Sequence, residues 1–127
     1  AVLHEIGMAE LADLPARILS HGHRRWLEIA MLLAQEPELM LLDEPASGMA
    51  LEQIPRLIRL IEEIHQRRGR TILLIEHKID LVMRLAHRVT VLHHGRVLAE
   101  GTPEEIARDE EVQRAYLGER TWMPSSN

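Results

Sequence analysis

The sequence predicts an α/β fold: a mostly parallel sheet with flanking helices and a C-terminal β-hairpin. Two short runs, residues 39–42 and 71–75, are almost wholly apolar, which is typical of parallel strands covered on both faces. A long amphipathic segment, residues 51–68, lies between them, as the crossover helix of a βαβ unit does. Two further strand-like runs flank His94-Gly95, which predicts a hairpin that adds an antiparallel edge to the sheet.

The remaining elements follow from helical periodicity and from breaker residues. Pro37 and Gly69 mark helix ends, and Pro55 falls in a first helical turn, where proline is tolerated. Thr102-Pro103 has the pattern of a helix start. Residues 123–127 are expected to be frayed. We predict helices over residues 2–13, 23–35, 51–68 and 79–87, strands over 39–42, 71–75, 88–93 and 96–100, and a last helix from 102.

Composition limits the classes of function. The chain has 127 residues, room for one modest domain. Its net charge of −5 disfavours an electrostatically driven nucleic-acid binder, so no nucleic-acid partner is expected. It has no cysteine, which excludes disulfides, thiolate metal sites and a cysteine nucleophile. We see no signal-like segment and no membrane-spanning run, so we expect a soluble protein, or a peripheral one held through a partner.

Ionisable residues follow both apolar runs. Asp43-Glu44 comes directly after the first run, and Glu76-His77 after the second. If the two strands are parallel neighbours, these four groups gather at one edge of the sheet, where ligands of open parallel sheets bind. The alternative is that charged residues simply end the strands at the surface.

Four motifs, in this order and spacing, resemble those of ATP-binding-cassette (ABC) ATPases. Residues 39–45 (LMLLDEP) resemble the Walker B segment, and residues 19–23 (LSHGH) resemble the signature loop. Residues 47–49 (SGM) occupy the place of the D-loop, and residues 75–77 (IEH) resemble the switch-histidine segment. The resemblance covers almost the whole chain and implies a partial P-loop NTPase core.

The same resemblance implies a domain organisation within a single partial ABC ATPase domain. Residues 1–35 correspond to the end of the helical subdomain with its signature loop. Residues 36–118 correspond to the C-terminal half of the catalytic core, and residues 119–127 form a tail.

Three segments are similar to the ATPases of branched-chain amino acid, urea and amide importers: residues 27–30, 44–49 and 115–118. Residues 20–28 lean toward the urea type. Such a parent couples ATP binding and hydrolysis to solute import. It works as two ATPase subunits beneath two integral membrane permease subunits, at the cytoplasmic face of the plasma membrane.

The resemblance assigns roles to the groups at the sheet edge. Asp43 would hold Mg²⁺ on the nucleotide through water, because Mg²⁺ keeps several waters and takes few protein carboxylates. Glu44 would orient and deprotonate the attacking water. His77 would contact the γ-phosphate and help to place that water. Adjacent residues point in different directions as a strand ends, so the two carboxylates can serve different partners.

A second group is implied to contact ATP bound to the opposite subunit. It comprises the signature-loop and D-loop residues Ser20, His21, Gly22, His23, Ser47 and Gly48. Ser20 is a plausible N-cap, and the helix that follows has no acidic residue in its first turn, which suits an anion. Three positions depart from the family pattern: His21 replaces a glycine, His23 replaces a glutamine, and Ala50 replaces an acidic or amide residue.

The phosphate-binding P-loop, G-x-x-x-x-G-K-S/T, does not occur in this sequence, and its one lysine is Lys78. We therefore expect the chain alone neither to bind ATP tightly nor to hydrolyse it, with ATP and Mg²⁺ as cofactors of the full-length parent. Strands without their neighbours leave edges and apolar faces open, so self-association is also expected.

Two other functions remain open. The chain is alternatively a non-enzymatic truncated module that binds or dimerises. It is alternatively the C-terminal lobe of a DNA-repair-type ABC ATPase, which the acidic charge and the importer-like tail disfavour. The histidines at 21 and 23, and at 93 and 94, raise the question of a metal site, but no carboxylate or cysteine partner is obvious.

Overall fold

The computed structural model describes residues 1–117, which fall in two compact units, residues 1–77 and residues 78 onward. The expected tail at 119–127, with its frayed end at 123–127, lies outside the described residues. Among the residues described, no helix is both long enough and apolar enough to cross a membrane.

The first unit opens with a helix much shorter than predicted. Helix α1 (Val2–Glu5) is a single turn, and 3₁₀ turns at Ala9–Leu11 and Ala16–Ile18 follow it. The prediction of a helix over residues 2–13 is therefore wrong. The reason is Gly7, whose φ of 63° lies in the left-handed region and takes the chain out of the helix.

Helix α2 (His21–Ala34) begins two residues earlier than predicted, because Ser20 caps it. The Ser20 hydroxyl accepts a hydrogen bond from the His23 N–H at 3.2 Å. The helix buries one broad apolar face, formed by Trp26, Ile29, Ala30 and Leu33. The guanidinium of Arg56 lies 4.7 Å from the Trp26 ring centroid, a cation–π distance.

Helix α3 (Ile54–Arg68) follows a 3₁₀ turn at Leu51–Gln53 and buries the predicted stripe of Leu57, Ile58, Ile61 and Ile64. Gly69 ends the helix in the left-handed conformation, with a φ of 61°, as predicted. Arg68 forms an ion pair with Glu5 at 2.7 Å, which connects the end of α3 to α1. These features fix the long helix within the first unit.

Strands β1 (Leu39–Asp43) and β2 (Thr71–Ile75) form the predicted parallel pair. Their register runs from Leu39 opposite Thr71 to Asp43 opposite Ile75. One face is covered and includes the buried Met40 and Leu42.

The other face of this pair is open. Its apolar side chains are each more than half exposed: Leu39, Leu41, Leu73 and Ile75. We call these four residues the open sheet face. The cover on both faces that the apolar pattern predicts is wrong for the described residues, whereas the open apolar face expected of strands without their neighbours is confirmed.

The second unit contains helix α4 (Ile79–Leu85), strands β3 (Val89–His93) and β4 (Arg96–Gly101), and helices α5 (Pro103–Arg108) and α6 (Glu110–Val112), followed by a π turn at Gln113–Leu117. The hairpin turn has positive φ at His94 (49°) and Gly95 (73°), as two-residue hairpin turns require. The hairpin forms a two-stranded sheet of its own, so the expectation that it adds an edge to the parallel sheet is wrong. The predicted start of α5 is confirmed, since Thr102 and Glu105 form a capping box.

Candidate functional site

The ends of β1 and β2 meet at one edge of the parallel sheet. Asp43, the last residue of β1, is in register with Ile75, the last residue of β2. The Glu44 N–H donates to the Ile75 carbonyl at 2.8 Å, so backbone pairing continues one residue past the strand. The predicted convergence of the 43–44 and 76–77 segments is confirmed, because parallel pairing brings both carboxyl ends to the same edge.

Glu44 and His77 are in direct contact at this edge. Glu44 Oε1 lies 3.2 Å from His77 Nδ1. Both side chains are accessible, with 46% of Glu44 and 69% of His77 exposed. An ionised carboxylate can only accept, so this contact is a hydrogen bond when Nδ1 carries the proton. The pair is an acid–base couple open to a ligand.

The backbone of Glu44 is strained. Its φ of 46° lies in the left-handed region, which costs a residue with a β-carbon about 1–2 kcal/mol. A turn follows at once, because the Ser47 N–H donates to the Glu44 carbonyl at 3.0 Å. Ala46 in that turn is fully buried and anchors it. Strain of this kind concentrates at functional sites, where surrounding structure imposes it.

Asp43 is also exposed at this edge. It belongs to the open side of β1, as Leu39 and Leu41 do. A single exposed carboxylate fits a Mg²⁺ ion that keeps most of its waters.

Glu76 is the feature of this edge to which the sequence assigns no role. Its side chain is fully buried, with 0% exposed, beside the exposed His77. Glu76 Oε1 accepts the His77 N–H at 3.1 Å and lies 3.6 Å from His77 Nδ1. The available signal was strand alternation, since residues 72 and 74 lie on the more covered side of β2 and residue 76 continues that alternation past the strand end.

The predicted signature-loop and D-loop residues also lie together. A β-carbon on Gly22 would stand 3.8 Å from the Gly48 carbonyl oxygen and 3.2 Å from Gln53 Oε1. A β-carbon on Gly48 would stand 3.8 Å from Cβ of His21. Ser20, His21, Ser47 and Gly48 are exposed, whereas Gly22 and His23 are half-buried. Gln53 was not predicted at this site. The available signal was its position three residues after Ala50, which is the spacing of a capping box.

The paired histidines do not gather metal ligands. The rings of His93 and His94 contact each other edge to face, with centroids 4.1 Å apart. The Tyr116 hydroxyl donates to the Leu92 carbonyl, and its ring lies 5.8 Å from that of His93. Within residues 1–117, no group of three or more His, Cys, Asp or Glu side chains is placed to hold a metal ion.

Two family models match the chain. The model described as "ABC transporter" matches residues 1–47, and the model described as "Branched-chain amino acid ATP-binding cassette transporter" matches residues 96–121. Together with the parallel strand pair and its polar edge, they make the chain similar to ATP-binding-cassette proteins. Its fold is a partial P-loop NTPase fold.

More particularly, the chain is similar to two named branched-chain amino acid transport ATP-binding proteins. It is 44% identical over 117 residues to LivG of Escherichia coli K12 and 39% identical to BraF of Pseudomonas aeruginosa. Each match covers 92% of this chain and 46% of the relative. The chain therefore spans about half the length of these relatives.

Solved structures give the same picture. The ADP conformation of MJ1267, an ATP-binding cassette of an ABC transporter, matches with a TM-score of 0.78 at 29% identity, covering 93% of this chain and 48% of that one. An inward-facing putative metal-chelate type ABC transporter matches with a TM-score of 0.81 at 26% identity, covering 91% of this chain and 45% of that one.

Proposed function

We propose that this chain is part of the ATP-binding subunit of an importer, in which ATP hydrolysis drives solute transport. The contact between Glu44 and His77, 3.2 Å long and at the carboxyl end of a parallel strand pair, is the observation that carries the proposal. It brings a carboxylate able to take a proton beside a ring able to donate hydrogen bonds. Phosphoryl transfer depends mainly on such positioning and on stabilisation of charge.

Each group at the edge has a distinct proposed role. Glu44 acts as the general base that orients and deprotonates water, and His77 holds Glu44 and contacts the terminal phosphate. Asp43 binds Mg²⁺ through water; the ion supplies neutralisation of phosphate charge when bound. The open carboxylates are consistent with this division, because both Asp43 and Glu44 can be reached from solvent.

The group around Ser20 and Gly48 serves a second nucleotide in our proposal. The N-terminus of α2 presents backbone N–H groups, and its first turn contains no acidic side chain. We propose that residues 20–23, with Ser47 and Gly48, contact ATP held by a second ATPase subunit. Two such subunits would then act beneath integral membrane permease subunits, on the cytoplasmic side of the membrane.

Branched-chain amino acids are the solutes we favour. LivG and BraF are named as high-affinity branched-chain amino acid transport proteins, and the model matching residues 96–121 carries the same description. These matches outweigh the lean toward the urea type of residues 20–28.

A chimeric enzyme tests the reaction. The chain would replace its matching 117-residue segment in Escherichia coli LivG, and the ATPase rate of the purified chimera would be measured. We expect hydrolysis, and we expect Glu44→Gln to lower kcat by about 100-fold or more, because it removes the base and keeps the shape. Glu38→Gln is the matched control: Glu38 is exposed at the opposite end of β1, and its change should leave kcat unaltered.

An active Glu44→Gln chimera would contradict the proposed base. The chain alone provides a second test, by calorimetric titration with Mg-ATP. Because its sequence contains no P-loop, we expect no micromolar binding, and a micromolar dissociation constant would contradict that expectation.

A second candidate is the non-enzymatic dimerising module, and the open sheet face is the observation that favours it. Four apolar side chains, each more than half exposed, lie together on one surface of β1 and β2. Contiguous apolar surfaces of this kind mark interaction sites. We propose that the 127-residue chain self-associates through this face. Light scattering over a range of concentrations tests it, and a constant monomer mass would refute it.

A further inference from the structure

We propose that Glu76 is a positioning residue that fixes the His77 imidazole with its Nδ1 toward Glu44. The proposal rests on the function proposed above for the Glu44–His77 pair. Glu76 is not one of the residues to which the family motifs assign a role. Its buried carboxylate, in contact with an exposed histidine, is what requires an explanation.

The buried carboxylate of Glu76 requires compensation for its lost contact with water. A carboxylate removed from water is destabilised by several kcal/mol unless hydrogen bonds and opposite charge compensate. The side chain of Glu76 is fully buried, whereas 69% of His77 is exposed. A buried carboxylate requires polar partners that an apolar side chain of similar size would not, so a packing role alone does not account for Glu76.

Glu76 lies close to both the backbone N–H and the ring of His77. Oε1 accepts the His77 backbone N–H at 3.1 Å, which sets the backbone direction where β2 has ended. The same oxygen lies 3.6 Å from His77 Nδ1, too long for a hydrogen bond but within ion-pair range. One oxygen of a buried group therefore faces both the main chain and the ring of the same residue.

Glu44 and Glu76 together restrict the orientation of the His77 ring. An exposed side chain normally samples several rotamers, and ordering it has an entropic cost. Here two carboxylates face Nδ1, Glu44 at 3.2 Å and Glu76 at 3.6 Å. Both favour a proton on Nδ1, because each carboxylate only accepts. The ring is then held in one orientation, with Nε2 left for an incoming phosphate, to which it donates when it too carries a proton.

Nitrogen-15 NMR of the complete 127-residue chain, labelled on histidine, tests this at about pH 8, where free histidine is neutral. The spectrum shows directly which ring nitrogen carries the proton, and His77→Gln assigns the signal. We expect the Nδ1–H form to predominate for His77. We expect Glu76→Gln to lower the ratio of Nδ1–H to Nε2–H by about threefold, because a neutral amide attracts the Nδ1 proton less strongly.

Glu76→Gln is the informative change because Gln keeps an oxygen that can accept the His77 N–H. A retained, dispersed amide spectrum with a lowered ratio supports the proposal. An unchanged ratio in Glu76→Gln, with a ratio that still falls in Glu44→Gln, overturns it. Glu105→Gln is the matched control: Glu105 also accepts a backbone N–H, from Thr102 at 3.3 Å, and its change should leave His77 as it is.

The failure of this proposal is distinguishable from that of the proposed function. The tautomer ratio is measured without nucleotide, so it stands whether or not the LivG chimera hydrolyses ATP. If the chimera is active, Glu76→Gln should lower kcat about tenfold and leave the KM for ATP nearly unchanged, because Glu76 acts through His77 and not on the nucleotide.

Discussion

Glu44 holds a left-handed backbone conformation, with a φ of 46°, that a β-carbon makes unfavourable. The strain persists because its neighbours fix it: the Glu44 N–H is bound to the Ile75 carbonyl, and the Ser47 N–H to the Glu44 carbonyl. The side chain of Glu44 contacts His77 Nδ1 at 3.2 Å. Local stability is thus reduced where the proposed chemistry takes place.

Replacement of Glu44 by glycine and by alanine separates strain from side-chain loss. Both remove the contact with His77, but only alanine keeps a β-carbon at positive φ. We expect Glu44→Gly to be more stable than Glu44→Ala by about 0.5–1 kcal/mol, the left-handed penalty less the greater unfolded-state entropy of glycine. Urea denaturation measures the difference.

Glu63 provides the matched pair for that comparison. It is exposed within α3, where glycine is disfavoured by about 1 kcal/mol relative to alanine. Glu63→Ala should therefore be more stable than Glu63→Gly. The same order at both positions would contradict the strain assigned to Glu44.

The sequence predicts which residues lie at the sheet edge, but not the backbone conformation or the burial of each one. Asp43, Glu44 and His77 follow from the rule that parallel strands present their carboxyl ends together. The positive φ of Glu44 was not predictable, because a glutamate carries no signal for it. The burial of Glu76 depends on whether the strand alternation continues one residue beyond Ile75, and the apolar pattern ends there.

Helix termini were the most predictable elements, because each depends on a short local signal. Ser20, Gly69 and Thr102 all end or begin helices as capping chemistry requires. The first helix was mispredicted because its apolar spacing continues past Gly7, and periodicity alone does not show that the chain turns there.

The 3₁₀ turn that leads into α3 lacks a side-chain cap. Ala50 has the backbone of an N-cap, with φ of −67° and ψ of 151°, and its N–H donates to Gln53 Oε1 at 3.3 Å. Half of a capping box is therefore present. A polar side chain at position 50 would supply the other half, because its oxygen could accept the N–H of residue 52, or share that of Gln53, which already donates to the Ala50 carbonyl at 2.9 Å.

We expect Ala50→Asn to stabilise the chain by about 1 kcal/mol, the usual value of an N-cap hydrogen bond, without changing the net charge. The rise in the urea midpoint measures it. Ala50→Val is the control, because valine at an N-cap is no better than alanine. An equal response to both changes would show that capping is not what limits this turn.

At the scale of the whole molecule, the strand order within each sheet was predictable, but the extent of burial was not. An apolar strand pattern reflects the surroundings in which the strand functions. The apolar pattern of residues 39–42 predicts a strand that is covered on both faces. The chain spans about half the length of relatives such as LivG, and its described residues cover one face only. The remaining face is the open sheet face.

The self-association of the chain should depend on the open sheet face. Leu41 and Leu73 lie opposite each other in the β1–β2 register, with 61% and 57% of their surface exposed. Threonine suits strands and removes most of the apolar area, so the double change Leu41→Thr, Leu73→Thr should weaken self-association and leave the fold intact. We expect the concentration at which the light-scattering mass begins to rise to increase about tenfold or more, since partial burial of each side chain is worth roughly 1 kcal/mol per copy.

A change at Leu51 tests whether self-association depends on the open sheet face or on exposed apolar residues in general. It is 80% exposed but lies in the 3₁₀ turn before α3, outside the sheet. Leu51→Thr removes at least as much apolar surface as either change on the open sheet face. If association depends on β1 and β2, the mass profile of Leu51→Thr should match that of the unchanged chain. An equal loss of association in Leu51→Thr would mean that the chain associates through its apolar surface generally and not through the face that its two strands leave open.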